Sequence, residues 1–234
     1  MDVIMQQPLN QSCEQPQRPV ASCIAVFAGF VAALMRVIPH PPNFSGVGAL
    51  GLFGGAKLSG WQAYLFPLGI MAISDLGLWA ITGLDPQYSP WHVSRAYVYA
   101  SFMVYVLIGR WLISDNASPM RIASAAFLGG VQFFVLTNFC AWLFQPYEVG
   151  VLPEWAYSRD LAGLTKCFAM AVPFAPQDSA FIPAPFVLVS NFPGGFLLWT
   201  CIGDVLFTVA YVTVYSRLTQ PHTDQTPAVA PAGQ

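Results

Sequence analysis

Long apolar runs, broken by turns rich in proline and glycine, constrain this chain more than any other feature. The runs at residues 20–38, 61–83, 97–113, 121–144 and 194–217 are each about the length a helix needs to cross a bilayer. A sixth, at 44–58, is short and spans only if it stands upright or is helped by its neighbours. Charged residues make up 9% of the chain, against roughly 25% in a soluble domain. Water cannot hold such a surface, so the expected fold class is an all-α polytopic membrane bundle of about six transmembrane helices. Residues 20–217 form its single domain, between flexible polar tails at 1–19 and 218–234. A cleaved signal peptide would carry a basic start, and only Arg18 precedes the first run. Residues 155–174 have helical periodicity interrupted by Arg159, Asp160 and Lys166, so they either span, lie at the interface or pack half-inserted.

The stretch from Arg36 to Lys57 organises the rest. Pro39, Pro41 and Pro42 stop a helix, because each ring removes an N–H and restricts the residue before it. Asn43 or Ser45 then caps a new helix carrying Gly48, Gly51, Gly54 and Gly55, a face that another backbone can approach closely. This is either a tight interhelical corner or a loop that presents His40 and Asn43 to a ligand. On the first run, Ala21, Ala25, Ala28 and Ala32 make small-xxx-small steps of the kind that draw membrane helices together.

Orientation follows from the positive-inside rule. With the N-terminus inside, the inner loops hold Arg18, Lys57, Arg110, Arg121 and Arg217, and the outer ones Arg36, Arg95, Arg159 and Lys166. Residues in the long fifth connection count for less, which favours cytoplasmic N- and C-termini. The loops with His40, Asn43, Tyr88 and His92 are then external, as are the halves of the spans holding Asp75 and Asn138, with Asp204 near mid-span. Intramembrane aspartates are costly and usually face a bundle interior or a cavity. The economical reading is an external cavity where His40, Asn43, Asp75, Tyr88, Asn138 and Asp204 bind a solute, with both aspartates reached by polar loop groups, water or ligand.

Chemistry signatures are sparse. The chain has no phosphate loop, no His-Glu-x-x-His and no Gly-x-Ser-x-Gly. Its five cysteines are scattered without a CxxC, so they read as small packing residues. His40, His92 and an aspartate could meet at a metal, but no spacing argues for it. No cofactor is expected, and a net charge of −2 without a basic run argues against nucleic acid. An intramembrane enzyme using His40 with Asp75 or Asp204, or a structural subunit without ligand, are the alternatives to solute binding.

Pro39-His40-Pro41-Pro42-Asn43-Phe44-Ser45 and Ala49-Leu50-Gly51-Leu52-Phe53-Gly54-Gly55-Ala56 resemble a family of uncharacterised bacterial multi-pass membrane proteins. Met71-Ala72-Ile73-Ser74-Asp75-Leu76, Thr137-Asn138-Phe139 with Trp142, and Gly203-Asp204-Val205-Leu206-Phe207 look like the same family, so the resemblance runs in order over residues 20–217. That family is similar in architecture to the S components of energy-coupling-factor (ECF) transporters. The resemblance implies six helices in a bacterial inner membrane, capture of a small solute from outside, and pairing with a transmembrane scaffold and ATPase subunits. It makes Ala21, Ala25, Ala28 and Ala32 the scaffold contact. The proline-rich stretch at 175–193 departs from the S-component pattern and reads as an insertion ahead of the last helix.

Overall fold

The computed structural model describes residues 17–36, 41, 43–84, 89–144, 157–171 and 195–219. These form seven helices and no strand: α1 (Gln17–Met35), α2 (Val47–Lys57), α3 (Gln62–Ile81), α4 (Val93–Leu112), α5 (Pro119–Phe144), α6 (Leu161–Ala171) and α7 (Phe196–Thr219). Three of them, α3, α5 and α7, are long and apolar enough to cross a membrane. Their outward faces carry Ile73, Phe127 and Leu206, all exposed. An exposed apolar belt of this kind is costly in water and expected in lipid.

The centre of the bundle is α2. Its residues Val47 to Gly55 are all buried, and it packs on α1, α3, α4, α5 and α7, which surround it. At about 1.5 Å per residue its 11 residues reach only some 16 Å, about half of a typical hydrocarbon core. The apolar run at 44–58 is therefore an enclosed plug, and the expected arrangement of about six spans is met only as far as the three membrane-length helices. Apolarity misleads here because burial in protein and burial in lipid select the same residues.

The glycines of α2 let the surrounding helices come close. A Cβ on Gly55 would fall 2.0 Å from the Val106 carbonyl oxygen, and one on Gly109 would fall 2.1 Å from that of Leu52. So α2 and α4 meet backbone to backbone, each supplying a glycine where the other's carbonyl approaches. On the α3 side, Pro67 has no N–H for the Ala63 carbonyl four residues earlier. Gly54 packs against that oxygen, where a Cβ would lie at 3.1 Å.

The alanine face of α1 is spent inside the chain. Ala21, Ala25, Ala28 and Ala32 are at most 1% exposed, turned inward as α1 packs on α2, α3 and α7, while Phe27 and Phe30 point outward at 67% and 66% exposure. These alanines therefore cannot be the contact for a separate scaffold subunit. The small-xxx-small spacing does bring backbones together, but within one bundle.

Within the segment left open at 155–174, the described residues carry α6, whose 11 residues are too short to span and which packs on α5. Asp160 caps it, its carboxylate accepting from the Gly163 N–H at 2.7 Å and the Ser158 hydroxyl at 2.7 Å. Those bonds hold the Asp160 carboxyl below the usual carboxylate range. The proline-rich stretch at 175–193 lies outside the described residues.

Candidate functional site

The helices alternate in direction, so one end of the bundle gathers the end of α1, the starts of α2, α4 and α7, and the ends of α3 and α5. Two adjoining cavities open there. The first, about 170 Å³, is lined by Arg36, Asn43, Arg95 and Asp204, with Phe102, Tyr105 and Phe133 as aromatic walls. The second, about 260 Å³, is lined by Asn43, Tyr97, Thr137, Asn138 and Thr200 among others. Asn43, Val98, Phe133 and Thr200 belong to both.

Asn43 stands at the junction in a left-handed conformation, φ 59°, which asparagine tolerates better than most residues. Its carbonyl accepts from the Ser45 N–H at 2.8 Å, and the Phe44 N–H reaches the Pro41 carbonyl at 3.0 Å. This tight turn replaces the side-chain cap expected of Asn43 or Ser45. The first residue before α2 is Gly46, and no side chain caps the helix.

Asp75 is fully buried but is not on the cavity wall. Its Oδ1 accepts from Arg36 Nη2 at 2.5 Å and its Oδ2 from the Tyr99 hydroxyl at 2.8 Å, with Arg95 Nε 3.5 Å from Oδ2. Arg36 also donates to the Ser74 hydroxyl and, at 3.4 Å, to the Met71 carbonyl. One carboxylate thus ties the end of α1 to α3 and α4. The expectation that both aspartates face the cavity is corrected for Asp75: its arginine partners line the cavity and screen it.

Asp204, 2% exposed, does line the cavity. The Tyr105 hydroxyl donates to its Oδ2 at 2.5 Å. Glycines carve the slot that holds it. A Cβ on Gly48 would lie 2.3 Å from Oδ1, and one on Gly130 would lie 3.3 Å from Oδ2. A Cβ on Gly129 would strike the Tyr105 ring at 2.5 Å. Asp204 of α7 therefore sits among α2, α4 and α5, beside the first turn of α2, whose positive end complements a carboxylate.

Asn138 reaches the second cavity, where its Nδ2 donates to the Phe134 carbonyl one turn back at 2.8 Å. The structure brings Asn43 together with Asp204 on one cavity and with Asn138 on the other. His40 and Tyr88 lie outside the described residues. His92 caps α4, its Nδ1 accepting from the Ser94 N–H at 3.2 Å. Among the described residues no group of three or more His, Cys, Asp or Glu could hold a metal.

Four residues of this site were not singled out as ligand groups by sequence reasoning: Arg36, Arg95, Tyr99 and Tyr105. The arginines carried a signal, since both flank apolar runs at the end where the polar loops gather. The tyrosines carried none beyond a polar tip within an apolar run.

Fold and site together define a class: an all-helical bundle with membrane-length apolar helices around a buried plug, and a charged cavity at one end. The chain belongs to the Family of unknown function (DUF6580), whose model matches residues 16–226. Neither a curated protein nor a solved structure matched the chain.

Proposed function

We propose that this chain is a solute-binding membrane protein that captures a small molecule in the paired cavities and passes it across the bilayer, in the manner of an ECF S component. The observation that carries this reading is the first cavity itself. Two guanidiniums and a carboxylate line one hollow with Phe102 and Phe133, the mix of apolar walls and few placed polar groups typical of ligand pockets. Binding rather than bond-making chemistry is proposed. Asp75 is off the cavity wall, its two oxygens taken by Arg36 and the Tyr99 hydroxyl.

The proposed setting is a bacterial inner membrane with cytoplasmic termini and the cavities on the outer face. Transport would draw energy from scaffold and ATPase partners or from an ion gradient, since no phosphate loop is present. Thermal melting of the purified protein against a panel of vitamins, small organic acids, amines and divalent metals tests the reading. A ligand of the native state raises the melting temperature in proportion to the logarithm of its concentration over Kd. No shift from any member, with correctly folded protein, would favour the structural-subunit alternative.

A further inference from the structure

We propose that the ligand of the first cavity is a small organic monoanion, its acid group seated on Arg95 and its apolar body on Phe102 and Phe133. The proposal rests on the solute-binding reading and adds the charge and class of the solute.

The argument starts from unequal demands on one carboxylate. Asp75 faces two guanidiniums, Arg36 and Arg95. Arg36 is committed, with hydrogen bonds to Asp75, Ser74 and the Met71 carbonyl. Arg95 is not. Among the described residues it makes a single ion pair, at 3.5 Å from Nε to an oxygen that already accepts from Tyr99. That Nε is buried without a hydrogen-bond partner, and the side chain is only 20% exposed. A guanidinium carries five donors in a planar fork suited to a carboxylate. A largely buried guanidinium whose Nε has no hydrogen-bond partner is a demand for an anion. Asp75 is taken up by Arg36 and Tyr99, which leaves the Arg95 guanidinium as the seat for one acid group on the ligand.

The remaining charge on the wall, Asp204, does not supply that anion. It pairs with neither arginine within ion-pair distance. Instead it takes the Tyr105 hydroxyl and lies against the first turn of α2. With one oxygen bonded to Tyr105, it keeps acceptor capacity for a donor elsewhere on the ligand. An inorganic ion would satisfy Arg95 but leave the aromatic walls uncovered, which is why the class is an organic acid.

The test uses the full chain in detergent, with acetate and benzoate set against acetamide, benzamide, ethylamine and benzylamine. Melting temperature and calorimetric Kd are the readouts. The expected result is stabilisation by the acids, benzoate more than acetate, with the amides and amines silent. Arg95→Gln should weaken benzoate by about thirtyfold or more, the usual loss when one partner of a desolvated charge pair is removed. Arg95→Lys keeps the charge without the fork, so it should fold and bind at an intermediate level. Equal stabilisation by the amides or amines overturns the monoanion assignment and leaves solute binding standing. Benzoate affinity unchanged in Arg95→Gln overturns the seat on Arg95. Silence from both acids also overturns the assignment, and the wider ligand panel then decides the solute-binding reading separately.

Discussion

Replacing Asp75 by asparagine tests the ion-pair network directly. The substitution keeps the shape of the side chain and one acceptor oxygen, but it removes the only negative charge among the described residues within ion-pair reach of Arg36 and Arg95. Breaking a buried pair by removing one member costs about 3–5 kcal/mol, because the surviving charge is left uncompensated. Arg36 and Arg95 keep 15% and 20% of their side chains exposed on the cavity side. Water there softens the penalty, so the expected loss lies near the bottom of that range, about 3 kcal/mol. Arg36→Gln alone leaves Asp75 buried with Tyr99 and the longer 3.5 Å pair to Arg95, and should cost a similar amount. The double variant should lose less than the sum of the singles, by about 1–3 kcal/mol, since contacting residues couple. Reversible denaturation in mixed micelles, read by tryptophan fluorescence, gives the four free energies of the cycle. Singles costing under about 1 kcal/mol with additive effects, the behaviour of exposed pairs, would refute the reasoning.

Two further outcomes are expected. Gly55→Ala should destabilise the protein by about 1–3 kcal/mol, as overpacking does, because its Cβ meets the Val106 carbonyl. Gly69→Ala, with nothing within 4 Å of the new Cβ, should be neutral or stabilising by up to about 1 kcal/mol; denaturation midpoints of the two variants compare them. For topology, impermeant thiol reagents applied from outside should modify single cysteines placed near Pro42 and Pro90 but not near Ser59 or Ala117. The reverse pattern would move the cavities to the cytoplasmic face.

Much of the architecture was legible because apolar run length and proline placement are local signals. The runs at 61–83, 121–144 and 194–217 became α3, α5 and α7 within a few residues at each end. The gathering of polar groups at one end was legible from alternating direction alone. What the chain could not disclose is which apolar helix touches lipid. The run at 44–58 looked like a weak span, yet α2 is enclosed on all sides. The alanine steps of α1 advertised a close contact without naming its partner, and the partner is the chain itself. Nor does sequence spacing tell a buried aspartate that is paired from one that is open. Asp75 and Asp204 look alike as lone acids in apolar runs. Only packing puts Arg36 and Arg95 beside the first and glycine backbone beside the second.

The enclosure of α2 has a consequence for biosynthesis. Ribosomal order delivers α2 second, but four of its walls, α3, α4, α5 and α7, are made later, and α7 is the last of the described helices. Until α7 arrives, one side of a glycine-rich helix too short to cross the bilayer has no protein against it. The last helix also carries Asp204 into the slot formed by Gly48 and Gly130. Completion of the fold and completion of the cavity are therefore a single late event. A nascent chain that stalls before α7 holds neither a sealed interior nor a finished cavity, which makes such a fragment a clear substrate for membrane quality control.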